Sequence, residues 1–210
     1  GAVSRVRPRG AGGVAGPEPG STGLDGWAAP GGKGFAMAEK MQGKGSVTSC
    51  DIYEHKLKRI RDGAARLGLP NIRTELQDAS VCREEWKDSA DVVLCDVPCS
   101  GLGIIRKKPE IRFKNPDEIQ TLPEIQARIL ANCAQYVKKG GTLVYSTCTI
   151  LQRENEDVVR AFLTENPEFE AVSWTHPVCG ERADGMVTLL PPVHNTDGFF
   201  IAKLHRKSGE

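Results

Sequence analysis

The sequence is short of the features that mark several protein classes. Its 210 residues hold no apolar run of membrane-spanning length and no secretory pattern. Charge is almost balanced, with 28 Lys and Arg against 27 Asp and Glu, a formal net of +1. No global field draws the chain to nucleic acid, so any RNA-binding surface must be a local patch. None of the seven cysteines forms a Cys-x-x-Cys pair; the nearest two are Cys95 and Cys99. No structural zinc or other metal is expected on that spacing. An odd cysteine count without secretory features points to free thiols in a reducing cytoplasm. The glycine-rich turn lacks Gly-x-Gly-x-x-Gly spacing, which argues against a nicotinamide-dependent oxidoreductase.

What is present suits one domain with a short tail. The hydrophobic fraction, 39%, is low to ordinary, and the 23 glycines are many. Residues 1–23 are rich in Gly, Ala and Pro and are expected to be disordered. Together with an opening residue that is Gly1, not Met, they suggest a processed or partial chain. Residues 24–205 form the expected catalytic domain and 206–210 a tail.

From Leu24 onward strand and helix patterns alternate. Helices are expected over 33–41, 53–67, 117–137 and 154–164, and strands over 46–50, 72–76, 91–96, 142–147, 169–174 and 198–204. In the second helix Leu57, Ile60, Ala64 and Leu67 share one face, and Gly68 stops it. The third is expected to break near Pro123 and to end at Gly140-Gly141. Val92 to Cys95 is a continuous apolar run, as in a parallel strand buried on both faces. The alternation implies an open, doubly wound α/β sheet, mostly parallel, with helices on both faces. Such sheets bind ligands at the carboxyl ends of their strands.

Four features fall at those ends. Ala28-Ala29-Pro30-Gly31-Gly32-Lys33 allows close backbone approach and leads into a helix start with free N–H groups; it also reads as an ordinary turn. Asp51 can accept from a ribose diol or serve as a helix N-cap. Asp78 can reach an adenine amino group or simply shape a turn. Asp96 ends the most buried strand, where an unpaired carboxylate is costly, so a functional role is favoured. Two thiols close strands at the same edge: Cys99 in Asp96-Val97-Pro98-Cys99-Ser100-Gly101-Leu102-Gly103, and Cys148 in Ser146-Thr147-Cys148-Thr149. Their polar, glycine-rich settings suit accessible, tunable thiols. Cys50, Cys95 and Cys133 read as core.

In this order the motifs resemble the RsmB/Nop/Sun family of RNA 5-methylcytosine methyltransferases, and most of all its bacterial small-subunit ribosomal RNA methyltransferase B group. Further matches are Arg106 and Pro109, Gln126 and Leu130, the run from Lys138 to Thr149, Glu154-Asn155-Glu156, and Asp197-Gly198-Phe199-Phe200. The resemblance covers about residues 24–204 and implies a Rossmann-like class I fold. It implies transfer of a methyl group from S-adenosylmethionine to C5 of a cytosine, most readily in small-subunit (16S) ribosomal RNA. Cys148 is then the nucleophile, Cys99 assists its release, and Asp96 meets the cytosine edge and lies near the cofactor. Trp27, Ala28, Ala29, Pro30, Gly31, Gly32, Lys33, Asp51, Asp78 and Asp96 would hold the cofactor. Arg106, Lys107, Lys108, Arg112 and Lys114 follow the Cys99 loop and would suit RNA phosphates.

The chain departs from the family in three places. The apolar strand expected before Ala28 is reduced to Leu24-Asp25-Gly26-Trp27, so the first strand reads as missing or degenerate. Lys33 is followed by Gly34 in place of Thr or Ser, and the family's amino-terminal RNA-binding domain is not expected within these residues. Two other readings stay open: an inactive truncated member that only binds RNA, and a methyltransferase of another acceptor, for which Cys148 would be dispensable.

Overall fold

Each of the first four parallel strands is returned to the same edge by a crossover, and the sheet follows from that. The computed structural model describes residues 16–26, 32–104, 110–111, 114–177, 179–194 and 197–209. The elements are β1 (Thr22–Asp25), α1 (Gly32–Lys40), β2 (Ser46–Asp51), α2 (Glu54–Leu67), β3 (Ile72–Leu76), β4 (Ala90–Asp96), α3 (Pro116–Ala134), β5 (Val137–Thr147) and α4 (Glu156–Glu165). The short strands β6 (Phe169–Ala171), β7 (Trp174–His176), β8 (Gly180–Arg182) and β9 (Met186–Leu189) precede β10 (Phe199–Arg206). The main sheet runs β3-β2-β1-β4-β5-β10-β6, with β9 also on β10. Strands β1 to β5 pair in parallel, and β10 pairs antiparallel with β5, β6 and β9.

The first strand is present but only four residues long, so of the expectations that it is missing or degenerate the first is corrected. Thr22 and Gly23 join Leu24 and Asp25 in β1, at the centre of the sheet, so the ordered chain begins before residue 24. Thr22 N–H donates to the Asp91 carboxylate at 2.8 Å. Gly23 lies under α1, where a Cβ would come within 2.8 Å of the Met37 methyl. A four-residue strand with one large apolar side chain carries too little pattern to be recognised alone. The chain crosses from β1 to β2 on one side and pairs β4 on the other, so the topological switch point, where such sheets bind ligands, lies at the end of β1.

Two further expectations are revised. Helix α3 runs through Pro123 without ending, and stops at Ala134. Asn115 caps it by accepting from Asp117 N–H at 3.0 Å, and Pro116 occupies its first turn, where no N–H is needed. Gly140-Gly141 lies inside β5, where the register against β4 shifts and Gly140 takes φ +80°. The glycine pair therefore makes a strand irregularity and not a helix stop. Residues 169–174, expected as one strand, divide between β6 and β7.

Both faces of the sheet are covered. Ile129, Leu130 and Cys133 of α3 and Val159 and Phe162 of α4 pack on Val93, Cys95, Leu143 and Tyr145. Met37 and Ala38 of α1, with Met41 just after it, pack on Val47, Val92, Leu94 and Val144. Cys50, Cys95 and Cys133 are buried core thiols, as expected. On α2, Leu57, Ile60 and Ala64 face inward, whereas Leu67 is half-exposed and Gly68 adopts the left-handed cap.

Candidate active site

Parallel register brings the chemistry together. Asp96 of β4 stands opposite Ser146 of β5. Ser146 Oγ donates to Asp96 Oδ1 at 2.8 Å, and Lys33 Nζ, from the first turn of α1, pairs with Asp96 Oδ2. Burial works against the Lys33 charge, yet the adjacent Asp96 carboxylate outweighs it and holds the ammonium above its ordinary range. Lys33 thus sits at the catalytic corner, where it also faces the charge of Cys148.

The two loops beyond these strands set Cys99 and Cys148 side by side, Sγ to Sγ at 3.0 Å, with Cys148 N–H donating to Cys99 Sγ at 3.3 Å. A hydrogen bond from the Cys99 thiol is the main cause that lowers Cys148 to about 7; burial and Asp96 oppose it, and Lys33 assists. The same bond, with burial, pushes Cys99 well up, so Cys148 is the thiolate of the pair and Cys99 the donor. Alkylation of Cys148 by iodoacetamide, followed by mass spectrometry, is expected to accelerate with pH and level off above about 7. Cys99→Ala removes the donor, and the inflection should move up toward the ordinary thiol value of about 8.5.

Residues quoted above only as family matches prove to organise these loops. Glu154 is fully buried. Its Oε1 accepts from Ser100 N–H (2.9 Å) and Gln126 Nε2 (2.9 Å), and its Oε2 from Ser100 Oγ (2.7 Å) and Thr149 Oγ1 (3.3 Å). Asn155 accepts from Thr147 Oγ1 at 2.6 Å and donates to Thr149 O at 3.0 Å. Gly103 and Gly198 meet backbone to backbone: Gly103 N–H donates to Cys148 O at 3.0 Å, and Gly198 N–H to Gly103 O at 2.6 Å. A Cβ on Gly103 would lie 1.8 Å from Gly198 O, so only glycine fits there. Apart from the family resemblance, the sequence signal for Glu154 and Asn155 is a polar pair a few residues past a strand-end thiol.

A cleft of about 350 Å³ opens over the thiols, lined by Cys99, Gly101, Ile104, Glu110, Ile111, Lys114 and Cys148. Lys114 Nζ donates to Ser100 O at 3.0 Å. The other basic residues singled out there, Arg106, Lys107, Lys108 and Arg112, lie outside the described residues.

A second cleft, of about 330 Å³, lies at the ends of β2 and β3 and is lined by Ile52, Leu76, Gln77, Asp78 and Val81. Three of these are large apolar side chains left exposed, Ile52 by 40%, Leu76 by 58% and Val81 by 55%. Apolar walls beside a carboxylate suit a flat heteroaromatic ring with an amino group. Asp78 accepts from Ser80 N–H and Oγ, which hold it below its ordinary range. It therefore shapes a turn as well as lining the cleft. Asp51 is buried at the end of β2, its Oδ1 accepting from Tyr53 N–H at 3.0 Å. Gly32 opens α1 with free space where a Cβ would be. Trp27, Ala28, Ala29, Pro30 and Gly31 lie outside the described residues. At Gly34 a Cβ would stand 3.0 Å from Ser49 Oγ and 3.3 Å from Asp25 Oδ2, and Ser49 Oγ has no hydrogen-bond partner among the described residues. Among the described residues no group of three or more His, Cys, Asp or Glu could hold a metal, and no helix is long and apolar enough to cross a membrane.

A mostly parallel, doubly wound sheet with this corner at its carboxyl edge is a Rossmann-like fold of the methyltransferase class. The profile of the 16S rRNA methyltransferase RsmB/F family matches residues 14–205, and the chain belongs to that family. It is 46% identical over 198 residues to the "Probable ribosomal RNA small subunit methyltransferase B" of Bacillus subtilis, an alignment covering 91% of this chain and 44% of that protein. Among solved structures, PH0851 superposes with TM-score 0.87 at 37% identity, over 93% of this chain and 45% of that one. NSun6 from Pyrococcus horikoshii, solved with SFG, gives TM-score 0.79 at 28% identity, over 95% and 51%. The chain spans less than half the length of the Bacillus subtilis relative.

Proposed function

We propose that this chain is the catalytic domain of an S-adenosylmethionine-dependent RNA cytosine-5 methyltransferase acting on small-subunit ribosomal RNA. The observation that carries this reading is the thiol pair at 3.0 Å, with Cys148 lowered to about 7, beside the Lys33–Asp96 pair. Amino-group methylation needs no such pair. Cytosine C5 is a weak nucleophile until a thiolate adds at C6. Cys148 makes that bond, and C5 becomes enamine-like. The cofactor, when bound, supplies an electrophilic methyl on a sulfonium. Asp96 accepts from the N4 amino group and so orients the base, while the Lys33 ammonium beside it offsets the negative charge that builds on the ring as sulfur adds.

Cys99 then changes role for a physical reason. Its proton is held by the Cys148 thiolate. Once that sulfur is bonded to C6 the thiolate is gone, and the Cys99 thiol is freed to ionise, its proton passing to water. As a thiolate it can take the C5 proton, after which C5–C6 closes and Cys148 leaves. The cleft over Cys148 would hold the target base, which must be unstacked to enter. Lys33, Asp51, Asp78, Gly32 and residues 27–31 would bind the cofactor, with its adenine against Ile52, Leu76 and Val81. Lys114, with Arg106, Lys107, Lys108 and Arg112, would meet RNA phosphates. Seven free thiols fit a reducing cytoplasm.

The test is incubation of the chain with unmodified small-subunit ribosomal RNA and methyl-labelled cofactor, with nucleoside analysis of the product. Label in 5-methylcytosine is expected. Label in another nucleoside, or none from folded chain that binds cofactor, contradicts the reading.

A further inference from the structure

We infer that Glu154 is a positioning residue that sets the distance and proton sharing between the two cysteines, by clamping the loops that carry them. This inference rests on the proposed thiol chemistry.

The cysteines share no element. Cys99 follows β4 and Cys148 follows β5, so their approach depends on what ties those loops together. One buried side chain does so. Glu154 takes both hydrogen bonds that Ser100 can donate, from the residue next to Cys99, and one from Thr149, the residue next to Cys148. Ser100 Oγ and Thr149 Oγ1 lie 2.8 Å apart, so the one Thr149 hydroxyl proton is shared between Ser100 Oγ and Glu154 Oε2. Gln126 anchors the carboxylate to α3 and also donates to Pro98 O at 3.0 Å, ahead of Cys99. The backbone of Glu154 is held in turn, its carbonyl accepting from the Tyr145 hydroxyl of β5. Asn155 completes the frame by gripping Thr147 and Thr149, on either side of Cys148. A fully buried carboxylate costs several kcal/mol unless each oxygen is satisfied, and here Oε1 accepts two N–H donors and Oε2 the Ser100 hydroxyl with a share of the Thr149 proton. Among the described residues that line the cleft, Glu154, Gln126, Thr149 and Asn155 do not appear, so Glu154 acts through the thiols and not on substrate.

Glu154→Gln separates geometry from charge. Its amide oxygen can serve Ser100 N–H and Gln126, and its NH₂ can donate to the two hydroxyls after they rotate. Glu154→Ala removes the clamp. In Glu154→Ala, the inflection for Cys148 alkylation is expected to rise toward about 8.5, as the Cys99 donor loses alignment. Its kcat should fall about a hundredfold. RNA KM and cofactor affinity should stay within about threefold, because neither cleft is lined by Glu154. Glu154→Gln should keep the inflection near 7 and most of the activity. If Glu154→Ala does not fold, the pair Ser100→Ala and Thr149→Val removes hydroxyl donors from the same clamp and should give the raised inflection. A folded Glu154→Ala, or that pair, with an unchanged inflection overturns the inference. So does Glu154→Gln proving as damaging as Glu154→Ala. The alkylation assay uses neither RNA nor cofactor, so it fails independently of the proposed reaction.

Discussion

Cys148→Ala is expected to reduce methyl transfer by roughly ten-thousandfold or more, with cofactor binding and thermal stability close to those of the parent. The size of the effect follows from the chemistry. Without a thiolate at C6 the ring has no enamine character, and no neighbouring group can substitute. Cys99 is 3.0 Å away, but its thiol is pushed up and lies over the same cleft from the other loop. Stability should be little changed because Cys148 is only partly buried and ends no core contact. Stopped-time methyl transfer, with cofactor binding by calorimetry, checks both halves. A variant that keeps more than about a tenth of the activity would move the reaction to another acceptor, one for which a covalent adduct is unnecessary.

Asp96→Asn is expected to slow transfer by about 10²–10⁴-fold, the range for a group that holds the base edge and its protons in the transition state. This variant has a second signature. Asp96 opposes ionisation of Cys148, so its neutralisation should lower the Cys148 inflection below about 7. The thiol becomes easier to ionise while the reaction becomes slower. Lys33 loses the partner that keeps its charge, and burial then dominates, so its ammonium should fall toward or below its ordinary range. Alkylation and transfer measured on the same preparation separate these effects. If both rates rise or fall together, Asp96 acts only by tuning the thiol.

Much of this arrangement is legible in the sequence because parallel sheets place function at strand ends. A buried run such as Val92 to Cys95 locates β4, and whatever ends it, here Asp96 and then Cys99, must lie on the binding edge. The same logic places Cys148 after Val144 and Tyr145. What escapes the sequence is set by tertiary contact. β1 is hidden because Thr22 and Gly23 owe their place to tertiary contacts with Asp91, 69 residues on, and with Met37 of α1. Gly140-Gly141 has the composition of a helix stop but is used in a strand bulge. Ile52, Leu76 and Val81 look like ordinary apolar residues next to strands, and only the fold shows that they line an open cleft. The Glu154 clamp is invisible until β4 and β5 are paired, because its partners lie up to 54 residues away.

The central claim is that Cys148 bonds to the RNA base and that Cys99 is needed to break that bond. Cys99→Ala chain is mixed with unmodified small-subunit ribosomal RNA and S-adenosylmethionine and run on a denaturing gel. A protein–RNA band that accumulates, and that vanishes when Cys148 is also changed to Ala, is the predicted result. Absence of the band from folded Cys99→Ala chain that binds cofactor and RNA, or its persistence in the double variant, would contradict the account.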